Sequence, residues 1–296
     1  MKFFFYMLTG FIVIAADVPC LATTFHDALG RTINLESPPR RIVTLAPSLT
    51  EIIFCLGLGD RLVGVTTFSD YPPEAAQKPK VGTYVNLNVE KIIDLAPDFA
   101  IGTADGNSRR IIGLLDQAGI PVYVVNPRNI RGVIDTIASL GKPLGVWDRA
   151  SELSNLLTAQ VNDVVQKVRG LKRTLVFLQI NVKPIMTVNR HTLHNDLIRL
   201  AGGKNMAEDE PVTYPRISIE EVIRKGPEVI IISSMERGGS FEDARKEWMK
   251  WPNIPAVRDG RVYLVDSDLL DRSSPRIVEG LKTVAELIHP EAGWNN

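Results

Sequence analysis

With 296 residues, 45% of them apolar, the chain has material for two packed cores of ordinary size. Its 34 basic residues balance 34 acidic ones, and no basic stripe stands out, which argues against a nucleic-acid or polyanion partner.

The first residues read as a secretory leader. Lys2 precedes an apolar run of 14 residues, Phe3 to Ala16, shorter than the roughly 20 needed to cross a bilayer. Small residues follow, and cleavage after Ala22 would make residues 1–22 a signal peptide and start the mature chain at Thr23. An uncleaved anchor is the alternative. Asp17-Val-Pro-Cys20 lacks the leucine and small residues of a lipobox, so lipoprotein anchoring at Cys20 is not expected. With Cys20 gone, Cys55 is the remaining cysteine, and its setting in Ile52-Ile-Phe-Cys-Leu56 marks a small core residue.

Onward from there, strands and helices alternate. Arg41 to Leu45 is a strand candidate, and Pro47 opens a helix that runs through Leu56 to stops at Gly57 and Gly59. A strand at 62–65, a helix at 89–95, a strand at 98–102, a helix at 108–118 and a strand at 121–125 follow. The second half repeats the rhythm, with a strand at 174–179, a helix at 194–201, a helix and strand over 219–233 and a last strand within 260–266. Such alternation implies α/β architecture with mainly parallel sheets covered by helices.

Two segments are nearly the same sentence. Val89-Glu-Lys-Ile-Ile-Asp-Leu-Ala-Pro-Asp-Phe-Ala-Ile-Gly-Thr103 and Ile219-Glu-Glu-Val-Ile-Arg-Lys-Gly-Pro-Glu-Val-Ile-Ile-Ile-Ser233 each read as helix, proline stop and apolar strand, at an offset of 130 residues. The chain is therefore expected to be two similar lobes. Each copy sets a glutamate, Glu90 or Glu220, in the first helical turn. Alone that is ordinary capping chemistry; the duplication singles the pair out.

Between the halves, 149–169 holds no proline or glycine. Leu153, Leu156, Leu157, Gln160, Val161, Val164, Val165 and Val168 recur there at helical spacing. The expected organisation is an N-terminal α/β lobe at 23–147, a connecting backbone helix at 148–170 and a C-terminal α/β lobe at 171–296, with a ligand cleft between the lobes. A helical strut of about 20 residues, roughly 30 Å long, permits little hinge motion.

Three local patterns carry weaker signals. His191 and His194, three residues apart with Asp196 beyond, have a spacing able to chelate a metal, but lack a third clear ligand; no metal site is expected, and both remain candidate contacts to the ligand. Gly57-Leu-Gly-Asp-Arg-Leu-Val-Gly64 ends a helix where a dinucleotide loop would open one. Trp248 and Trp251 read as packing of the second half. The chain shows no G-x-S-x-G elbow, phosphate loop or H-E-x-x-H, so an exported hydrolase is a distant alternative.

Longer strings carry a family resemblance. Arg41-Ile-Val-Thr-Leu-Ala-Pro-Ser-Leu-Thr-Glu51, Thr67-Phe-Ser-Asp-Tyr-Pro-Pro73, Val176-Phe-Leu-Gln179 and Ser267-Asp-Leu-Leu-Asp-Arg-Ser-Ser-Pro-Arg276 resemble the helical-backbone periplasmic binding proteins of ABC importers, most closely their cobalamin-binding members. The resemblance implies a periplasmic monomer without a permanently bound cofactor, which carries cobalamin or another corrinoid to a permease dimer in the inner membrane. A ferric siderophore or haem on the same scaffold is the alternative. It further implies docking of Glu90 and Glu220 onto permease arginines, and a cleft lined by Tyr71, Tyr84 and Tyr214, with loop contributions from Thr103, Asp105 and Asn107 and from Asp268, Leu270 and Arg272. Where cobalamin-binding members have tryptophan, this chain has Tyr84, Thr103 and Tyr214, and Leu269-Leu270 replaces an aromatic pair; these departures remove stacking area from the cleft.

Overall fold

The structure is a computed structural model that describes residues 23–233 and 240–294. The expected leader and Cys20 lie outside the described residues.

The chain opens with an antiparallel hairpin, β1 (Thr23–His26) and β2 (Thr32–Leu35). The first half continues as β3 (Ile42–Thr44), α1 (Pro47–Cys55), β4 (Leu62–Gly64), α2 (Val89–Asp94), β5 (Phe99–Thr103), α3 (Arg109–Gln117), β6 (Val122–Val125) and α4 (Ile130–Gly141). The long α5 (Trp147–Lys167) leads to β7 (Thr174–Gln179), α6 (Leu193–Leu200), β8 (Gly203–Asn205), α7 (Ile219–Lys225) and β9 (Val229–Ile232). The chain closes with α8 (Ser240–Trp248), α9 (Pro255–Arg258), β10 (Val262–Leu264), α10 (Ser267–Leu270) and α11 (Ile277–Ile288).

Two four-stranded sheets result, in orders β4-β3-β5-β6 and β8-β7-β9-β10, with every neighbouring pair parallel. Position for position the orders coincide, so the chain is two like α/β lobes. β3, β5, β6 and β9 are buried at every residue. That explains their continuous apolar sequences: a strand covered on both faces has no solvent side to alternate with.

Each lobe keeps an apolar cluster of its own, and a third joins the two. One apolar cluster runs from Ile33 through Ile130, Ile134, Leu157 and Leu197 to Ile288, threading α4, α5, α6 and α11. A backbone bond adds to it, Ile130 N–H donating to Asp196 Oδ2 at 3.0 Å. The connecting helix is thus flanked along its length instead of standing as a bare strut. Its buried stripe includes Ala150, Ser154, Leu157 and Val164. Leu156, expected on that stripe, is 54% exposed and Gln160 is exposed as well: with 3.6 residues per turn, those two fall outside the arc that α4 and α11 cover.

Trp248 is buried and donates Nε1–H to Gln179 Oε1 at 2.6 Å, as expected of a packing residue. Trp251 is not; it lies beyond the end of α8 and is exposed. Cys55 is half-buried, and burial, reinforced by the charge of Glu51, pushes its thiol pKa up. Such a thiol is unreactive.

Candidate cleft and docking sites

In parallel sheets the loops that leave the C-terminal ends of strands gather at one edge. Here they do so twice, and the two edges meet. Thr103 ends β5, with Asp105 and Asn107 just beyond; Arg128 follows β6; Ser233 follows β9; Asp268, Asp271 and Arg272 follow β10.

Tyr84 is the candidate wall on the first lobe. A Cβ added at Gly106 would overlap its ring, so glycine there is what allows the ring to pack against the loop. Asn107 locks the same loop from below. Its Nδ2 donates to Leu45 O at 2.9 Å and Tyr84 O at 3.0 Å, and its Oδ1 accepts from Thr103 N–H at 2.7 Å. The Asn107 amide is therefore committed to backbone, and it shapes the wall without presenting a free polar group. Thr103 is buried, whereas Asp105 is exposed and pairs with Arg128 at 3.0 Å.

Tyr214 is the candidate wall on the second lobe, 130 residues after Tyr84, the same offset that separates Glu90 from Glu220. The two phenols share an environment. Burial first, and Asp105 second, pushes the Tyr84 pKa up to about 12 while a hydrogen bond with Thr103 pulls the other way. The Tyr214 pKa is raised for the same two reasons, burial then Asp105, with a smaller contribution from Asp271. A single N-lobe carboxylate thus acts on tyrosines of both lobes, which makes the two rings candidate walls of one cleft.

On the second lobe, His194 Nε2 lies 2.7 Å from Asp271 Oδ1, and Ser233 Oγ donates to the same oxygen at 3.3 Å. His194 Nδ1 and Asp271 Oδ2 are buried with no hydrogen-bond partner. His191 is exposed whereas His194 is buried. Among the described residues, no group of three or more His, Cys, Asp or Glu is arranged to hold a metal ion.

The floor between the lobes is ionic. Arg272 donates to Glu51 Oε1 at 2.7 Å, to Phe68 O at 3.2 Å and to Asp70 at 3.1 Å, and pairs with Asp268 at 2.9 Å. Arg276 grips Glu51 with two further bonds and lies 3.9 Å over the ring of Tyr71. Tyr71 itself is 43% exposed. Leu270, 1% exposed, belongs to the apolar core: it faces inward from the short α10, away from any cleft surface. Sequence reasoning gave no role to Glu51, Arg128 or Arg276, and named Gly106 and Asp271 only as parts of the loops Thr103 to Asn107 and Asp268 to Arg272. For Glu51 a signal existed, since a lone acid in an apolar helix must find its cation elsewhere in the fold.

The docking candidates are built alike. Asn88 Oδ1 caps α2 by accepting from Lys91 N–H, and Ser218 Oγ caps α7 by accepting from Glu221 N–H. Glu90 and Glu220 then occupy the second position of each helix, both exposed or nearly so. Hydrogen bonds from its own backbone N–H and from Ser218 hold the Glu220 carboxyl below the usual range.

A separate cavity of about 500 Å³ lies between α5 and α11, lined in part by Lys167, Lys282, Trp294 and Arg276. It shares Arg276 with the cleft floor and none of the tyrosines.

Against known proteins, the family described as periplasmic binding protein matches residues 42–269. The uncharacterised ABC transporter substrate-binding lipoprotein YvrC of Bacillus subtilis is 33% identical over 275 residues, covering 90% of this chain and 86% of that protein. The periplasmic vitamin B12 binding protein BtuF of Vibrio cholerae superposes with a TM-score of 0.77 at 30% identity, covering 86% of this chain and 98% of that one. A periplasmic haem-binding protein from Pseudomonas aeruginosa superposes with a TM-score of 0.78 at 27% identity, covering 87% and 95% of the two chains.

Proposed function

Because this chain belongs to the periplasmic binding protein family, we propose that it is the substrate-binding component of an ABC importer that captures cobalamin or another corrinoid and delivers it to the permease. The observation that carries the reading is the double register: Tyr84 with Glu90 and Tyr214 with Glu220 stand at one common offset, the tyrosines both under the influence of Asp105 and the acids exposed to solvent. Flat aromatic walls suit a large, partly apolar macrocycle. Paired acids suit two equivalent basic patches on a two-fold symmetric permease dimer. The cargo's recognition is differential binding and docking, with no covalent step.

The B12-binding relative supports the corrinoid. Haem or a ferric siderophore is the competing cargo, favoured by the haem-binding relative and by phenols where corrinoid binders have indoles. The periplasm is the proposed location, reached through the leader. The lipoprotein among the relatives makes the state of Cys20 worth measuring by mass spectrometry.

The deciding experiment incubates the protein with cobalamin, cobinamide, haem and a ferric siderophore, desalts it and records the absorbance spectrum. Retention of a corrinoid chromophore, with a raised Tm, is the expected result. Retention of haem or the ferric chelate alone transfers the assignment to the competing cargo.

A further inference from the structure

Both lobes converge on one carboxylate. Glu51, on α1 of the first lobe, is 1% exposed and sits in the apolar sequence Leu49-Thr-Glu-Ile-Ile53. Its Oε1 accepts from Arg272 Nη1 at 2.7 Å and Arg276 Nη2 at 2.9 Å; its Oε2 accepts from Ser274 Oγ at 2.6 Å and Arg276 Nε at 2.9 Å. All four donors come from the strap between α10 and α11, 221 to 225 residues away. A carboxylate at that depth is tolerable only while paired. The strap and α1 are therefore held as one piece.

The two arginines then reach the segment that presents Tyr71. Arg272 Nη2 bonds the backbone oxygen of Phe68 and the carboxylate of Asp70, which fixes the chain just before Tyr71. Arg276, gripped bidentately by Glu51, stacks its guanidinium on the Tyr71 ring at 3.9 Å. An aromatic ring 43% open to solvent would ordinarily sample several rotamers; this one is braced from behind and stacked from one face.

We propose that Glu51 is a positioning residue for the ligand site: through Arg272 and Arg276 it sets the segment 68–71 and holds the Tyr71 ring in one orientation, so the ligand meets a pre-set aromatic face. The inference rests on the reading that Tyr71 lines the cleft. Ordering the ring before binding removes a cost that the ligand would otherwise bear, of a size that makes binding about tenfold tighter.

The test is a double-mutant cycle on the mature chain with cobalamin as probe, run in parallel with cobinamide and haem. Glu51→Gln and Arg276→Lys should each raise Kd about tenfold in the parent, and less than twofold in a Tyr71→Ala background. An equal effect in both backgrounds, or no effect in the parent, overturns the proposal, because general damage to the fold would not depend on Tyr71. Should Glu51→Gln fail to fold, Arg276→Lys alone decides. A ligand-free measurement separates this inference from the cargo assignment: with 3-fluorotyrosine at position 71, the fluorine resonance should shift on Arg276→Lys and on Glu51→Gln. An unmoved resonance overturns the proposal even if cobalamin binds, while a parent that binds none of the probes sinks the cargo assignment and leaves the fluorine result to judge Glu51.

Discussion

Residues 83–103 and 213–233 are the same device built twice. Tyr84 and Tyr214, the caps Asn88 and Ser218, the exposed acids Glu90 and Glu220, and the prolines Pro97 and Pro227 correspond at an offset of 130 residues. So do the acids that tie the next strand in place. Asp98 accepts the backbone N–H groups of Arg40 and Arg41, and Glu228 accepts that of Leu175 together with Lys172 Nζ. The copies diverge where support comes from loops outside the repeat. Tyr84 is seated on Gly106 and held through Asn107, while Tyr214 is 39% exposed, with the charge of Asp271 acting on it from the loop after β10. A duplicated frame thus carries two unlike candidate walls, one stiff and one open.

The sharpest test of that difference removes each wall. Tyr84→Ala and Tyr214→Ala are each expected to weaken corrinoid binding by about 1–3 kcal/mol. Only Tyr84→Ala should also lower unfolding stability in urea, by roughly 2 kcal/mol, because only that ring is packed into its own lobe. Gly106→Ala should reproduce the binding loss of Tyr84→Ala and add nothing to it in the double mutant. Equal stability losses for the two tyrosines would erase the distinction between the walls.

The acids test what the copies still share. Glu90→Arg and Glu220→Arg should leave ligand affinity unchanged and slow capture by the transporter, the double change by about tenfold, with the parent's association slowed by salt. Transporter-stimulated ATP hydrolysis reads the effect; full stimulation by the double variant would leave the duplication as a mark of ancestry alone.

A smaller effect sits at the helix ends. The chain turns through positive φ at both, with Gly226 at +61° and Ala96 at +43°. A Cβ in that region costs about 1 kcal/mol. Gly226→Ala should therefore destabilise by roughly 1 kcal/mol, since a Cβ there meets nothing nearer than 3.7 Å and only backbone strain is added. Ala96→Gly should be neutral to stabilising by less than about 1 kcal/mol, strain relief being offset by the freer unfolded chain. Matched urea titrations would show whether the same turn carries strain in one copy only.

The slightest expected effect is alkaline. Since the folded Tyr84 phenol keeps its proton up to about 12, above the unfolded value of about 10, its contribution to stability is complete below pH 10 and is lost as pH climbs toward 12. In an absorbance titration at the phenolate band, the high-pH step should vanish in Tyr84→Phe; a profile unchanged by that substitution would place the late phenol elsewhere.

The sequence by itself determined the order of strands and helices along most of the chain, because strands buried on both faces are unbroken apolar runs and helix ends carry caps, glycines and prolines. It determined the repeat, and with it the pairing of Glu90 with Glu220, while Tyr84 and Tyr214 came from the family resemblance. It did not assign the β1–β2 hairpin or β8, which are four and three residues long. Nor did it assign α4 and α11, whose apolar spacing says that they are covered but not by what. Only the tertiary structure decided that Leu270 faces the core, that Asn107 spends its amide on backbone, and that Glu51 is the shared anchor of Arg272 and Arg276. The physical reason is one of range. Periodicity and capping are settled among residues three or four apart, whereas a buried charge is settled by whichever cation the fold brings within about 3 Å, and for Glu51 that cation lies more than 200 residues along the chain.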